Sequence, residues 1–330
     1  MIYILFFVLC IFYSCNSQNN SIIFSTKKAK SNRNESEKII KHYESDEQKL
    51  AAAKFLIQHM AFHYNKNNSN EVNLQDLYDK HAAISEKYNW MKTPLPWRQE
   101  IDSLEKAYAH QIAAFSFLDY KSDIETIKSE WLIKQIDLAF EAWQNNIYTR
   151  EYPFEMFCEF ILPYRFKEGI ILEDSKEMFY KRHHTIFKDS VGASFIQRID
   201  SILYYYKDIR YNFFAGDRIP INSVKTFEQI KYGQCGDRSW FNSLVLASSG
   251  IASSIDFAPS QGNRNNSHTW NAIITPSQTI PFEPFWDEDR WKYKIMYNNK
   301  TTDRKWGKLR FAKVYRNTFS INKTGPFRNT

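Results

Sequence analysis

Cysteine is scarce in this chain, with four among 330 residues: Cys10, Cys15, Cys158 and Cys235. Cys158 and Cys235, the two outside the N-terminal segment, do not have the spacing of a disulfide framework. Cys158 lies in a strongly apolar stretch, which favours a small buried hydrophobe over a reactive group. If the protein is exported, as the N-terminal segment discussed below predicts, an unpaired thiol at Cys235 needs a functional reason, and catalysis would supply one.

A basic stripe is also missing. The formal net charge is +7, and the positive residues are scattered rather than interleaved with aromatics at nucleic-acid spacing. No acidic cluster has the pattern of a calcium loop. His59 and His63 have the i, i+4 spacing of a metal pair, but no third ligand accompanies them. We therefore expect no nucleic-acid partner, no metal and no other cofactor.

Charged side chains are missing from residues 1–14, which are almost wholly apolar. This run is too short to span ~30 Å of hydrocarbon and predicts a signal peptide. Phe12-Tyr13-Ser14-Cys15 resembles a lipobox, so Cys15 is expected to become the lipidated first residue; an ordinary signal peptide or an uncleaved anchor is the alternative. Residues 15–44 are rich in Asn, Ser and Lys and predict a flexible tether. We expect an exported, membrane-anchored lipoprotein, periplasmic or on the cell surface, with the outer membrane favoured.

The rest of the chain has the composition of a folded protein, with 43% hydrophobic and 17% aromatic residues. Apolar residues at helical spacing predict a mainly helical region over 45–225, in which His183 and His184 are expected to face solvent. Region 226–330 has a different pattern, with a helix over 239–249, a stop at Gly250 and then strands. The strand candidates are 251–258, 268–275 and 279–285. We predict the α+β class.

A thiol, an imidazole and a carboxylate follow one another in this second region. Cys235 comes directly after the turn Tyr232-Gly233-Gln234, where exposed N–H groups of the predicted helix would lower the pKa of a thiol. His268 opens a strand and would take and return the proton, while Trp270 on the same strand face would shield it from water. Glu283 on the next strand would accept from the far ring nitrogen. This order predicts a Cys-His-acid acyl-transfer site.

Neighbouring residues would assist the reaction. Gly233 and Gly236 would leave backbone room for a substrate amide to approach. The backbone N–H of Cys235 would donate to the developing oxyanion, with Gln229 as a second donor. Gln234 is the further substrate-supporting side chain in this hypothesis.

The motifs around these residues resemble the transglutaminase-like superfamily. Tyr232-Gly233-Gln234-Cys235 looks like its active-site signature, and His268-Thr269-Trp270-Asn271 resembles its histidine strand. Phe282-Glu283-Pro284 stands where the family usually has a Val-Asp-Pro-type segment. Ser249-Gly250-Ile251 resembles its Leu-Gly-Ile turn, and the match covers roughly residues 227–290.

The resemblance implies a papain-like α+β core, in which an antiparallel sheet packs on the cysteine-bearing helix, and a thioester intermediate on peptide or glycopeptide amides. Glu283 replaces the family's aspartate, and Asp287 is an alternative third residue. Gly236 stands where animal transglutaminases have a tryptophan, which favours hydrolysis over cross-linking. The segment Leu162-Pro163-Tyr164-Arg165 also resembles a region found before this core in lipoproteins of Bacteroidota-like bacteria.

A second class of function stays open from the sequence. A non-catalytic protein on the same fold would use an aromatic-rich groove to bind peptide or glycan, and the high aromatic content suits such a groove. The chemical reactivity of Cys235 discriminates between the two classes, because only the catalytic reading requires an activated thiol.

Overall fold

The computed structural model describes residues 27–66, 72–88, 94–188, 191–211, 219–260, 267–285 and 313–321. The predicted signal peptide, Cys15 and Asp287 lie outside these residues. The helices are α1 Arg33–His42, α2 Glu47–Met60, α3 Gln75–Lys87, α4 Pro94–Ala107, α5 Ala109–Ser116, α6 Asp123–Thr126, α7 Ser129–Asn145, α8 Phe154–Phe160, α9 Ser175–His183, α10 Phe195–Tyr205, α11 Val224–Ile230 and α12 Cys235–Ser248, with 3₁₀ turns at Lys30–Asn32 and His184–Phe187. The strands are β1 Tyr64–Lys66, β2 Tyr120–Ser122, β3 Arg210–Tyr211, β4 Tyr232–Gly233, β5 Ser253–Ala258, β6 His268–Ile274, β7 Thr279–Phe282 and β8 Tyr315–Arg316. Within the described ranges, no helix has both the length and the apolar character needed to cross a bilayer.

The α+β class is confirmed, since helices dominate up to residue 230 and an antiparallel sheet follows. This sheet has the strand order β7-β6-β5-β8. The predicted order of one helix and three strands is observed as α12, β5, β6 and β7. The edge strand β8 comes from residues 315–316 and was not predicted.

Buried apolar side chains of the described residues form three clusters. The first lies among α1, α2, α7 and α8, and the third among α3, α4 and α5. Because Ile39 and Tyr43 of the first cluster are buried and residues 30–42 are helical, the predicted flexible tether over 15–44 is wrong for this part of the chain. The second joins α9 and α10 to α12 and to one face of the sheet, through residues such as Phe179, Ile202, Phe241 and Ile273. This second cluster spans the predicted domain boundary at 225/226, which stays a prediction.

Helix α12 lies against the sheet over its whole length, and its side chains from Arg238 to Ser248 are buried. Several of its buried polar groups hydrogen-bond to the neighbouring strand β6. The Asn271 side chain on β6 donates to the carbonyl of Ser239 at 2.9 Å and to the Ser243 hydroxyl at 3.1 Å. These hydrogen bonds set the position of the strand that begins with His268.

The C-terminal end of α12 is fixed by Gly250, which has φ = +73°. A Cβ atom at this position would lie 2.2 Å from the carbonyl oxygen of Ala142 on α7. The Thr149 hydroxyl also donates to the Gly250 carbonyl at 2.6 Å. Both the backbone conformation and the close approach therefore require glycine.

Replacing Gly250 by alanine is expected to lower the free energy of unfolding by at least about 2 kcal/mol. The left-handed conformation alone costs an L-residue roughly 1–2 kcal/mol, and the contact with α7 adds to it. Urea denaturation measures the change. Gly236→Ala is the matched control, because a Cβ there meets nothing within 4 Å; equal destabilisation of both variants would contradict the explanation.

Candidate active site

Cys235 is the first residue of α12, and Gln234 is its extended N-cap residue. The helix begins here because the Asp237 carboxylate accepts a hydrogen bond from the backbone N–H of Gln234 at 3.0 Å, as in a capping box. The first backbone N–H groups of a helix have no partner within it and carry partial positive charge. The thiol therefore lies at a helix N-terminus, as expected, although α12 begins at Cys235 and not at the predicted residue 239.

The thiol of Cys235 is half-buried and has no disulfide partner. Burial by itself would raise the pKa of Cys235, but hydrogen bonds from the His268 side chain and from the backbone N–H groups of Thr269 and Gly236 lower it below its ordinary value. The charge of His268 acts in the same direction. The site thus favours a thiolate.

His268 is the first residue of β6 and lies between Cys235 and Glu283. Burial alone would disfavour a charged imidazole, but hydrogen bonds to the Cys235 and Glu283 side chains, and the charges of both, raise the pKa of His268 to about 9. An imidazolium at neutral pH is the counterpart of the thiolate. The two opposite pKa shifts are those expected of a thiolate–imidazolium pair.

Glu283 follows the last residue of β7, and its Oε2 lies 3.4 Å from His268 Nε2. The side chains of His268 and Glu283 are 25% and 21% exposed. The antiparallel register explains the approach, since Phe282 pairs with Asn271 and so brings the following residue alongside the start of β6. The three residues selected from the sequence as thiol, base and acid are therefore together.

An ion pair lies on the first turn of α12. Lys167 Nζ is 2.6 Å from Asp237 Oδ1. A carboxylate in the first turn stabilises the helix, but its negative charge two residues from Cys235 would oppose a thiolate. Lys167 neutralises this charge and leaves the helix cap intact.

The residues predicted to assist the reaction differ in whether the structure places them where that role requires. Trp270 is buried, and its ring lies 5.8 Å from that of His268 at a tilt of 32°, so the predicted shared face is observed. Gln234 is exposed directly before Cys235. A Cβ on Gly236 would meet only open space, whereas one on Gly233 would lie 2.6 Å from the Phe227 ring. The absent side chain of Gly233 therefore serves packing and does not make room for substrate.

Gln229 is not brought to the thiol. Its amide nitrogen donates to Asp79 Oδ1 at 2.6 Å, and its amide oxygen accepts from Gln75 at 3.1 Å. Both partners lie on α3, because Gln229 points from α11 toward that helix. The expectation of a second oxyanion donor at Gln229 is corrected by these contacts.

Tyr211 is a site residue that the sequence did not reveal. Strand β3 pairs in parallel with β4, which places Tyr211 opposite Gly233, and its ring lies edge-on to Phe285 at 5.3 Å. Burial raises the pKa of the Tyr211 phenol, and the charges of Cys235 and Glu283 raise it further. The phenol therefore stays neutral beside the thiol. A two-residue strand has no periodic pattern, so nothing distinguishes this tyrosine among twenty.

The other titratable residues singled out from the sequence are buried or hydrogen-bonded to neighbouring residues. Cys158 is buried in the first core, and burial raises its pKa to about 12. His63 binds Glu168 at 2.7 Å and the Phe319 carbonyl at 2.9 Å. His183 is buried against the Tyr206 hydroxyl at 2.9 Å, so its expected solvent exposure is wrong. The described residues contain no group of three His, Cys, Asp or Glu side chains able to hold a metal ion.

The segment of Tyr164 and Arg165 forms part of the interior. Arg165 Nε and a terminal guanidinium nitrogen donate to the two oxygens of Asp123 at 2.7 and 2.8 Å, and the Tyr164 hydroxyl donates to Asp123 at 3.1 Å. The Arg165 and Asp123 side chains are 1% and 0% exposed. These residues hold α6 to the segment after α8.

The chain was compared with protein-family models, curated proteins and solved structures, and no match was found in any of the three. The interpretation of the site consequently depends on its own geometry.

Proposed function

We propose that this protein is a cysteine hydrolase or acyltransferase that acts on amide bonds through Cys235, His268 and Glu283. The observation that carries the proposal is the hydrogen-bonded thiol and imidazole at the N-terminus of α12, with opposite pKa shifts. Perturbed pairs of this kind in a half-buried site are typical of nucleophilic catalysis. The helix and antiparallel sheet, together with the motifs, support a papain-like core of the transglutaminase-like superfamily.

The reaction begins with attack of the Cys235 thiolate on the amide carbon. The carbonyl electrons move to the oxygen, where the N–H groups at the start of α12 stabilise the negative charge. When the intermediate collapses, the carbon–nitrogen bond breaks and the leaving nitrogen takes the proton of the His268 imidazolium. An acyl thioester on Cys235 and a free amine result.

In the second half, neutral His268 accepts a proton from water as the water attacks the thioester. The carbon–sulfur bond breaks, an acid is released, and the thiolate–imidazolium pair is restored. An amine in place of water would give a new amide instead. The glycine at position 236 supports hydrolysis as the main outcome, and peptides or glycopeptides are the proposed substrates.

The substrate test incubates the protein with peptide, isopeptide and glycopeptide amides and searches for an acyl adduct on Cys235 by mass spectrometry. We expect amine release with at least one class and no adduct in Cys235→Ser. A reactive class that turns over equally in Cys235→Ser would contradict the mechanism. Reversible binding without any adduct, combined with an inert Cys235, would favour the peptide- or glycan-binding alternative.

Glu283→Gln is expected to lower turnover roughly 10- to 100-fold, because an amide no longer stabilises the imidazolium. The pKa of His268 should fall from about 9, since Glu283 is one of the two groups that raise it. The basic limb of the pH–rate profile then moves to lower pH, because the proton needed by the leaving amine is lost sooner. Glu228→Gln, which breaks an ion pair with Arg182 outside the site, is the control. If the basic limb is unchanged in Glu283→Gln, a group other than Glu283 must stabilise the charged form of His268.

The location follows from the N-terminal sequence and is part of the proposal. Cys15 would carry the lipid and so connect the folded body to the membrane. Metabolic labelling with a lipid analogue should modify the wild-type chain and spare Cys15→Ser. Equal labelling of both chains would refute the assignment of Cys15.

A further inference from the structure

One face of α12 carries Cys235, Arg238 and Asn242, at the spacing i, i+3 and i+7. Arg238 and Asn242 have no exposed surface. Neither residue is explained by the reaction itself, and polar groups so deeply buried need a complete set of hydrogen bonds. Their bonds lead to the other two elements of the site.

Asn242 connects α12 to both neighbouring chain segments. Its amide nitrogen donates to the Asn271 side-chain oxygen at 3.0 Å and to the Pro284 carbonyl at 2.7 Å. Asn271 is three residues after His268 on β6, and Pro284 directly follows Glu283. Asn242 lies on the helix that carries the thiol, and its amide group therefore contacts both segments that carry the imidazole and the carboxylate.

Arg238 determines which way this amide faces. Its Nε donates to Asn242 Oδ1 at 2.8 Å, and a terminal nitrogen donates to the Tyr206 carbonyl at 2.7 Å. A guanidinium only donates, so the oxygen of Asn242 must face it. The Asn242 nitrogen is thereby directed toward Asn271 and Pro284.

We propose that Asn242 is a positioning residue that holds His268 and Glu283 at working distance from Cys235. The inference rests on the proposed function. The contact between His268 and Glu283, at 3.4 Å, is already at the long end for a hydrogen bond, so a small shift of the segment at Pro284 would break it. Displacements of about 1 Å in a catalytic arrangement cost up to ~10²-fold in rate.

The test uses Asn242→Asp, which keeps the acceptor for Arg238 but removes both donated hydrogen bonds. Iodoacetamide is the probe, and peptide mapping follows the labelling of Cys235 across a pH series. We expect labelling at neutral pH to slow about tenfold, with the pH midpoint of the rate moved up by about one unit. A purely structural role would lower the thermal midpoint of unfolding and leave the pH midpoint unchanged in the folded protein.

Asn242→Ser is the second variant, because it retains one small donor and introduces no buried charge. It should shift the pH midpoint in the same direction. Ser248→Ala is the matched control, since it removes a buried hydrogen bond to Leu244 at the opposite end of α12 and should leave labelling unchanged.

The outcomes separate the two claims. If wild-type Cys235 is inert, the proposed function fails. If wild-type Cys235 is reactive, and folded Asn242→Asp and Asn242→Ser are labelled with the wild-type pH midpoint, the positioning role of Asn242 is overturned.

Discussion

His268→Ala is expected to slow the alkylation of Cys235 by iodoacetamide at neutral pH by about ten- to a hundredfold. In the wild-type protein, the side chain of His268 is the first of the groups that lower the pKa of the thiol against the effect of burial. In the variant, only the backbone N–H groups of Thr269 and Gly236 still lower the pKa of Cys235 against the effect of burial, which raises it. The thiolate fraction at neutral pH then falls, and labelling rises only as the pH increases through the ordinary thiol range.

Mass spectrometry of digested protein measures each cysteine separately. Cys158 is an internal reference, because burial raises its pKa to about 12 and it should label slowly in every variant. His110→Ala removes an exposed histidine on α5 and should have no effect. Equal labelling of Cys235 in wild type and His268→Ala would refute the activation of the thiol by His268.

Asp123→Ala is expected to lower the free energy of unfolding by about 3–5 kcal/mol, the usual cost of removing one partner from a buried ion pair. The variant leaves the Arg165 guanidinium in the interior without its carboxylate, although the Ile170 carbonyl still accepts from it at 2.7 Å. The Tyr164 hydroxyl loses its partner in the same step. Chemical denaturation at neutral pH measures the loss.

The control for this prediction is Glu37→Ala, which removes an exposed pair with Arg33 at 2.9 Å on α1. Exposed pairs of this kind contribute about 1 kcal/mol or less. If Asp123→Ala cost no more than Glu37→Ala, the Asp123–Arg165 pair could not be what holds α6 to the segment after α8.

The active-site core was predictable because its signals are local. The stop at Gly250, the turn before Cys235 and the apolar run that ends β6 each depend on a few neighbouring residues. The approach of Glu283 to His268 follows from an antiparallel pair joined by the short turn at 276–278, which fixes the register. The thiol, imidazole and carboxylate could therefore be selected together from the sequence.

The features that were missed depend on distant packing. Gln229 turns toward α3, which lies about 150 residues earlier in the chain and gives no local signal. His183 is in a basic run typical of a surface, but the face of α9 that carries it packs against Tyr206. Tyr211 and β8 are positioned by pairing with remote strands. Burial of a polar residue by a remote partner is not encoded in its own neighbourhood.

Titration of the His268 ring by nuclear magnetic resonance is the most direct test of the thiolate–imidazolium pair. We expect a midpoint near pH 9 in the wild-type protein. In Cys235→Ser, the midpoint should move down from about 9 in the direction of the ordinary histidine value of about 6.5, because one of the two negative partners is gone while Glu283 remains. A wild-type midpoint at or below that ordinary value, unchanged in Cys235→Ser, would contradict the account.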